Sequence, residues 1–462
     1  MMRYTTSLLS IFLITSVFAP IASAQANADD DFLVHALNAE RFIASLKVET
    51  PEGTLWRSAL DSDAEPGHSL YYGSGGIALF YFELHKATGD KRFYDIAASA
   101  GEGILTAIKR NETEKISMSS GLAAEAFVLG ELYRQTKDER FADGARVSLG
   151  RLKAKSEPLG SGVGWIEKNP YEAYNAANTN VGEMYDLSIG AAGAGVTFLE
   201  AYRSGLDDEG KAWAVKAADR LLEVAEHTDD GLRWPMMDNL PATYIMPNFA
   251  HGPAGIAYFL ADLYQETKTQ AYLDAAISAA EYVQSRAVVK GDGVLVCHHE
   301  RPDPADLFYL GYCHGPAGTG RLMYKLYEIS GDEKWLNWIE SNVRGFVATG
   351  APEKRSEGLW NNMSQCCGDS GMGDFAVYMY RATKKSQYLD LARDIAQHIR
   401  SEGHLDNGKL SWSQAEMRIR PEALQTQTGY MQGAAGIGSF FLHLATVKDD
   451  PVKIRLLATP FE

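Results

Sequence analysis

Seven times along this chain of 462 residues, a short glycine-rich turn opens an apolar helical stretch. The turns read Gly73-Ser-Gly-Gly76, Gly121-Leu-Ala-Ala124, Gly190-Ala-Ala-Gly193, Gly252-Pro-Ala-Gly255, Gly315-Pro-Ala-Gly318, Gly368-Asp-Ser-Gly371 and Gly433-Ala-Ala-Gly436. Their first glycines lie 48, 69, 62, 63, 53 and 65 residues apart. A unit of about 60 residues marks a repeat architecture, in which each unit buries its apolar face only against its neighbours.

Within a unit, the stretch after the turn is apolar on most faces, as in Ile77-Ala-Leu-Phe-Tyr-Phe-Glu-Leu84 and Arg321-Leu-Met-Tyr-Lys-Leu-Tyr327. Such a helix is an inner, buried one. A polar break follows, recurring as Thr88-Gly-Asp-Lys-Arg-Phe93, Thr136-Lys-Asp-Glu-Arg-Phe141 and Ser330-Gly-Asp-Glu-Lys-Trp335. It supplies capping oxygens for a second, amphipathic helix whose alanines permit close packing. A Gly-x-x-Trp piece closes several units (Gly53 to Trp56, Gly162 to Trp165, Gly231 to Trp234) and reads as a short strand or hairpin. Counting residues 31–49 as the first outer helix gives seven inner and seven outer helices. The expected fold is all-α, a closed (α/α) toroid with short strands at one end. An open array would need polar capping repeats, whereas Tyr430 to Leu444 is as apolar as a middle unit.

Residues 1–24 read as an export signal. Arg3 precedes the largely apolar run Leu8 to Ile21, and Ala22-Ser-Ala24 gives a small-residue cleavage pattern before Gln25. Residues 25–462 are then a single toroid domain, exported to the periplasm or secreted. No later stretch approaches the ~20 apolar residues of a membrane span. With 44 Lys+Arg against 60 Asp+Glu, a nucleic-acid partner is disfavoured. The expected partner is a peptide or small thiol, and the chain is expected to act as a monomer.

The fifth and sixth turns carry cysteines in equivalent places: Tyr312-Cys313-His314-Gly315 and Gln365-Cys366-Cys367-Gly368. In a closed ring, equivalent positions point the same way and converge. Three thiolates from Cys313, Cys366 and Cys367 would hold one Zn²⁺ and leave its fourth position open, the catalytic pattern. His314 competes with Cys367 for the third place. A thiol entering the open position would lose its proton and become a nucleophile at neutral pH. His251, in Ala250-His-Gly-Pro253, stands where His314 stands one unit on, so it should face the same cavity and exchange protons there. Asp186, in Tyr185-Asp-Leu-Ser188, would orient a base or protonate an enolate; its blander role is a carboxylate at a helix N-terminus. Cys297-His298-His299 falls in the strand position of its unit and reads as a surface or mouth feature.

These turns, with Tyr185-Asp-Leu-Ser188, Ala250-His-Gly252, Cys313-His-Gly315 and Cys366-Cys-Gly368, resemble the lanthionine synthetase C (LanC and LanC-like) family from about Tyr71 to Phe461. The resemblance implies an α/α toroid with a central zinc that adds cysteine thiols to dehydroalanine or dehydrobutyrine, making thioether rings. It makes Cys313 and Cys366 zinc ligands, puts Cys367 where most members have histidine as the third, and matches His251 and Asp186 to the family's acid/base pair. Many bacterial members carry an arginine shortly before the first zinc cysteine; Leu307-Phe-Tyr-Leu-Gly-Tyr312 has no cation. Two other functions compete. One is an exported carbohydrate-active toroid using paired carboxylates, with Glu125, Asp186, Glu183 and Asp374 as candidates. The other is a non-catalytic protein that binds zinc and thiol peptides.

Overall fold

The computed structural model describes residues 20–168, 181–238, 245–300, 307–354, 358–449 and 458. Of the expected export signal, residues 1–19 lie outside this set. Fourteen helices occur among the described residues, alternating between an outer and an inner ring. In chain order they are α1 (Pro20–Ala44, outer), α2 (Ser74–Thr88, inner), α3 (Lys91–Lys109, outer), α4 (Leu122–Thr136, inner), α5 (Glu139–Ala154, outer), α6 (Ala191–Arg203, inner) and α7 (Gly210–Glu223, outer). There follow α8 (Pro253–Thr267, inner), α9 (Gln270–Ser285, outer), α10 (Pro316–Ser330, inner), α11 (Lys334–Ala348, outer), α12 (Asp369–Thr383, inner), α13 (Ser386–Glu402, outer) and α14 (Ala434–Ala445, inner). Each inner helix packs beside the next, and α14 packs beside α2, so the ring is closed. The outer partner of α14 is α1, from the opposite end of the chain. The first outer helix ends at Ala44 rather than Glu49, because Lys47–Thr50 pairs with Gly53–Trp56 as a hairpin.

Every glycine turn caps an inner helix with extended backbone, and what it needs is room. A Cβ on Gly252 would lie 1.6 Å from the carbonyl oxygen of Met246; one on Gly318 would lie 2.0 Å from that of Tyr312 and 2.6 Å from Phe249 Cβ. The second contact shows why the fourth position of the turn is small: it faces the neighbouring unit. At the other end of the inner helices the polar breaks repeat one device. Thr88, Thr136, Thr267, Ser330 and Thr383 return their hydroxyls to carbonyls one turn back and accept the N–H two residues on. Asp90 and Asp138 then cap α3 and α5.

The outer helices run back toward the turns, so the antiparallel hairpins that follow them collect at that end of the ring. The predicted Gly-x-x-Trp pieces sit there. The Nε1 of Trp165, Trp234 and Trp412 each donates to the carbonyl 13 residues earlier, on the preceding outer helix, at 2.9, 2.7 and 2.8 Å.

A belt of backbone hydrogen bonds ties the seven turns together. Tyr71 N–H donates to Ser119, Met118 to Ser188, Ser188 to Ala250, Ala250 to Cys313, Cys313 to Cys366, Cys366 to Met431, and Met431 back to Tyr71. Each turn donates to the next and the last returns to the first. Only the second turn needs two residues, Met118 and Ser119, to continue the belt, and it is also the turn that ends in Ala124.

Candidate functional site

The belt makes Cys313 and Cys366 adjacent by construction, since the N–H of one donates to the carbonyl of the other at 3.0 Å. Cys367, next along the chain, brings its Sγ to 3.5 Å from that of Cys313. All three sulfurs lie within 4.8 Å of one another. A tetrahedral ion with bonds of about 2.3 Å to sulfur sets those sulfurs about 3.8 Å apart, so the cluster fits such an ion. Among the described residues, no other group of three His, Cys, Asp or Glu side chains converges in this way. His314 is outside the group. The cluster is buried, and its charge is constrained. Hydrogen bonds with Cys366 and Cys367, then burial, push the Cys313 thiol well up, while hydrogen bonds from Cys313 and Cys367 hold Cys366 well below the ordinary thiol range. The Gln432 amide reaches both the Cys367 sulfur, at 3.5 Å, and the Tyr71 hydroxyl, at 2.8 Å.

A cavity of about 330 Å³ opens on this cluster. Tyr71, Ser188, Ala250, His251, Cys313 and Cys366 line it from five successive or facing turns. His251 and Asp186, predicted from different units, meet: Nδ1 and the carboxylate oxygen Oδ2 are 2.6 Å apart. The other oxygen of Asp186, which is fully buried, accepts the N–H of Ile189 at 2.7 Å. One oxygen of Asp186 thus accepts within its own turn, and the other contacts the histidine.

His251 and His314 are neighbours, with ring centroids 5.5 Å apart. His314 is buried and packs, tilted, against His298 with centroids 4.4 Å apart, and His298 packs likewise against Tyr309 at 4.0 Å. Burial, then the positive charge of these neighbours, drives the His314 pKa well down. Cys297-His298-His299 is therefore not a surface feature. Cys297 is buried, the two histidines are half-buried, and the group backs onto His314 behind the cavity.

The four carboxylates proposed for carbohydrate chemistry are engaged separately. Glu183 is paired with Arg220 at 2.7 Å, Glu125 accepts from Thr113 and Ser148, Asp186 holds His251, and Asp374 holds His443 at 2.7 Å. Two buried polar features escaped the sequence reading. The first is the buried Glu83–His443–Asp374 group between α2, α14 and α12, where His443 Nε2 is 3.1 Å from Glu83. The second is Arg321, on α10, whose guanidinium is buried in the cavity wall. Both belong to inner helices that read as apolar. The available signal was the pair Arg321 and Lys325, two cations one turn apart on a helix expected to be buried.

Among solved structures the chain is similar to nisin cyclase, at 14% identity over 91% of this chain and 94% of that one, with a TM-score of 0.58. It is also similar to the cellobiose 2-epimerase of Bacillus thermoamylovorans B4167, at 12% identity over 90% and 99%, with a TM-score of 0.49. A third is an α-1,6-mannanase of Salegentibacter sp. HEL1_6, at 11% over 90% and 98%, with a TM-score of 0.44. The search of curated protein sequences gave no match. The family profile described as lanthionine synthetase C-like protein matches residues 66–456, spanning all seven turns and the three clustered cysteines, and the chain belongs to that family.

Proposed function

We propose that Cys313, Cys366 and Cys367 hold one zinc ion, and that the chain joins a thiol to a dehydroamino acid to form a lanthionine-type thioether. The observation that carries this reading is the trio of sulfurs within 4.8 Å, opening on the same cavity as a histidine–aspartate pair. Zinc bound there supplies the positive charge that takes a thiol to thiolate at neutral pH. Addition forms a carbon–sulfur bond at the β carbon of dehydroalanine or dehydrobutyrine. The alkene's π electrons move to the α carbon, which then takes a proton, so thiol plus alkene balances as thioether with no oxidant or reductant. His251 is placed to deliver that proton, because its ring borders the cavity. Asp186 fixes the tautomer and tilt of the ring through Nδ1. The cavity, at about 330 Å³, is sized for one side chain or a short peptide segment.

The family membership and the likeness to nisin cyclase support a cyclase-like reading. The signal-like pattern of residues 1–24 supports a site of action outside the cytoplasm, on a peptide or a small thiol. No helix among the described residues is long and apolar enough to cross a membrane.

The test uses protein purified from an exporting host, with its mass expected to begin at Gln25. Wild type should contain one zinc per chain and add a thiol to a dehydroalanine peptide faster than buffer. Cys313→Ala and Cys366→Ala should lose most of both. A full zinc complement in either variant ends the reading. Zinc without any rate above buffer leaves a binding protein rather than an enzyme.

A further inference from the structure

We infer that Arg321 is a substrate-binding residue that holds a carboxylate of the bound peptide at the inner end of the cavity; this rests on, and deepens, the thiol-addition reading. The argument begins with a contrast on one helix. Lys325, one turn further along α10, is buried and satisfied, with Asp262 at 3.4 Å, Glu328 at 3.2 Å and the Gln265 amide oxygen at 3.0 Å. Arg321 is equally buried, at 6% exposure, yet has no ion pair among the described residues. Among the described residues, its one hydrogen bond goes from Nη1 to the Ala317 carbonyl on its own helix. Its remaining contacts are the rings of Tyr312 at 5.0 Å and of Phe375 and Tyr378 at 5.9 Å. None of its nitrogens is sealed from the cavity without a partner, and the residue lines the cavity wall.

A buried guanidinium without a counter-charge is costly. Five N–H donors with one protein acceptor leave a planar fork available to a planar anion, and a carboxylate matches that fork bidentately. A monoanion suits the site better than a phosphate dianion, because Arg321 is a single cation and the negative field of Asp374 already reaches it. The aromatic rings hold the guanidinium plane, so little freedom is lost when an anion docks.

Position sets the ligand's length. Arg321 lies six residues beyond Gly315, the cap of α10 that follows Cys313-His314. Its guanidinium folds back one turn to the Ala317 carbonyl, so the charge lies only about 3–5 Å down the axis from that cap, a span that an extended peptide covers in about one or two residues. The implied ligand is a short thiol peptide with its C-terminal carboxylate, or an acidic side chain, about one or two residues after the cysteine.

The experiment compares N-acetyl-Cys-Gly-Gly as free acid and as amide, and N-acetyl-Cys-Gly-Glu-amide, by calorimetric titration into the zinc-loaded protein. Each is repeated with S-methylcysteine, which has no ionisable thiol. Wild type should bind a carboxylate-bearing peptide about tenfold or more tightly than the neutral amide, with or without the S-methyl group. The tighter of the two acids identifies the source of the carboxylate. Arg321→Gln should abolish the preference, and Arg321→Lys should keep part of it. Equal binding of acids and amide to wild type overturns the inference, as does an unchanged preference in Arg321→Gln. The wild-type comparison decides the matter even if a variant fails to fold. Failure of the zinc and thiol reading shows up separately, as free-thiol peptides that bind no better than their S-methyl forms while the acid preference persists.

Discussion

Among the described residues, two buried histidine–aspartate pairs share nearly the same local geometry. His251 Nδ1 lies 2.6 Å from Asp186, and His443 Nδ1 lies 2.7 Å from Asp374; each pair bridges neighbouring units of the ring. Their surroundings differ. The ring of His251 borders the cavity that Cys313 and Cys366 also line. His443 is in the dry packing between inner helices, with Glu83 at 3.1 Å from its second nitrogen. Burial alone would lower the His443 pKa, but the charges of Asp374 and Glu83 outweigh it and push it up to about 10. That imidazolium is a fixed cation joining α14 to α2 and α12, where the chain's two ends close the ring. A histidine–aspartate pair is therefore not by itself a sign of catalysis. A cavity beside one pair and a second carboxylate beside the other separate a candidate proton exchanger from a structural ion.

The sharpest way to break this comparison is to remove each histidine in turn. His251→Ala should reduce the rate of thiol addition by about 10²–10⁴-fold, the usual worth of a positioned acid or base. Zinc content should stay full, and stability should fall by no more than about 1–2 kcal/mol, the loss of one buried hydrogen bond. A variant with the wild-type rate would remove His251 from the chemistry. His443→Leu should do the reverse. It leaves two carboxylates, Glu83 and Asp374, buried without their cation, which costs about 3–5 kcal/mol. Urea unfolding measures this directly. A loss under about 1 kcal/mol would mean that the seam does not depend on the ion.

Legibility followed the same division. The ring was readable because small residues are needed wherever turn backbones touch, as at Gly252 and Gly318. The sulfur cluster was readable because the belt keeps equivalent positions in register, so Cys313 and Cys366 had to be neighbours. The His251–Asp186 contact was suggested by position, and it is short because their two turns are consecutive on that belt. Glu83, Asp374, His443 and Arg321 were not read together. They lie within helices whose pattern says only "buried", and their contacts cross between units at depths that spacing in sequence does not encode. The placement of Cys297-His298-His299 failed for a related reason. Five residues after Gly293, the strand has ended, and the backbone N–H of His298 donates to the Leu307 carbonyl at 2.8 Å, which turns the segment inward toward His314.

The gentlest test of the comparison leaves the sequence intact and varies pH. An unfolded histidine loses its proton near pH 6.5, whereas folded His443 keeps one up to about 10. Below pH 6.5 both states are protonated and the contribution of the ion is fully present. Between about 6.5 and 10 only the folded state holds the proton, so stability must decline as pH rises through this window. Unfolding wild-type protein at pH 8 should therefore release close to one proton from this group, seen as a dependence of the calorimetric enthalpy on the buffer's own ionisation heat. Glu83→Gln removes one of the two charges that raise His443, so the upper end of the window should move down by roughly one pH unit or more. If the proton release at pH 8 is the same in His443→Leu as in wild type, the buried histidine is not the permanent cation that separates it from His251.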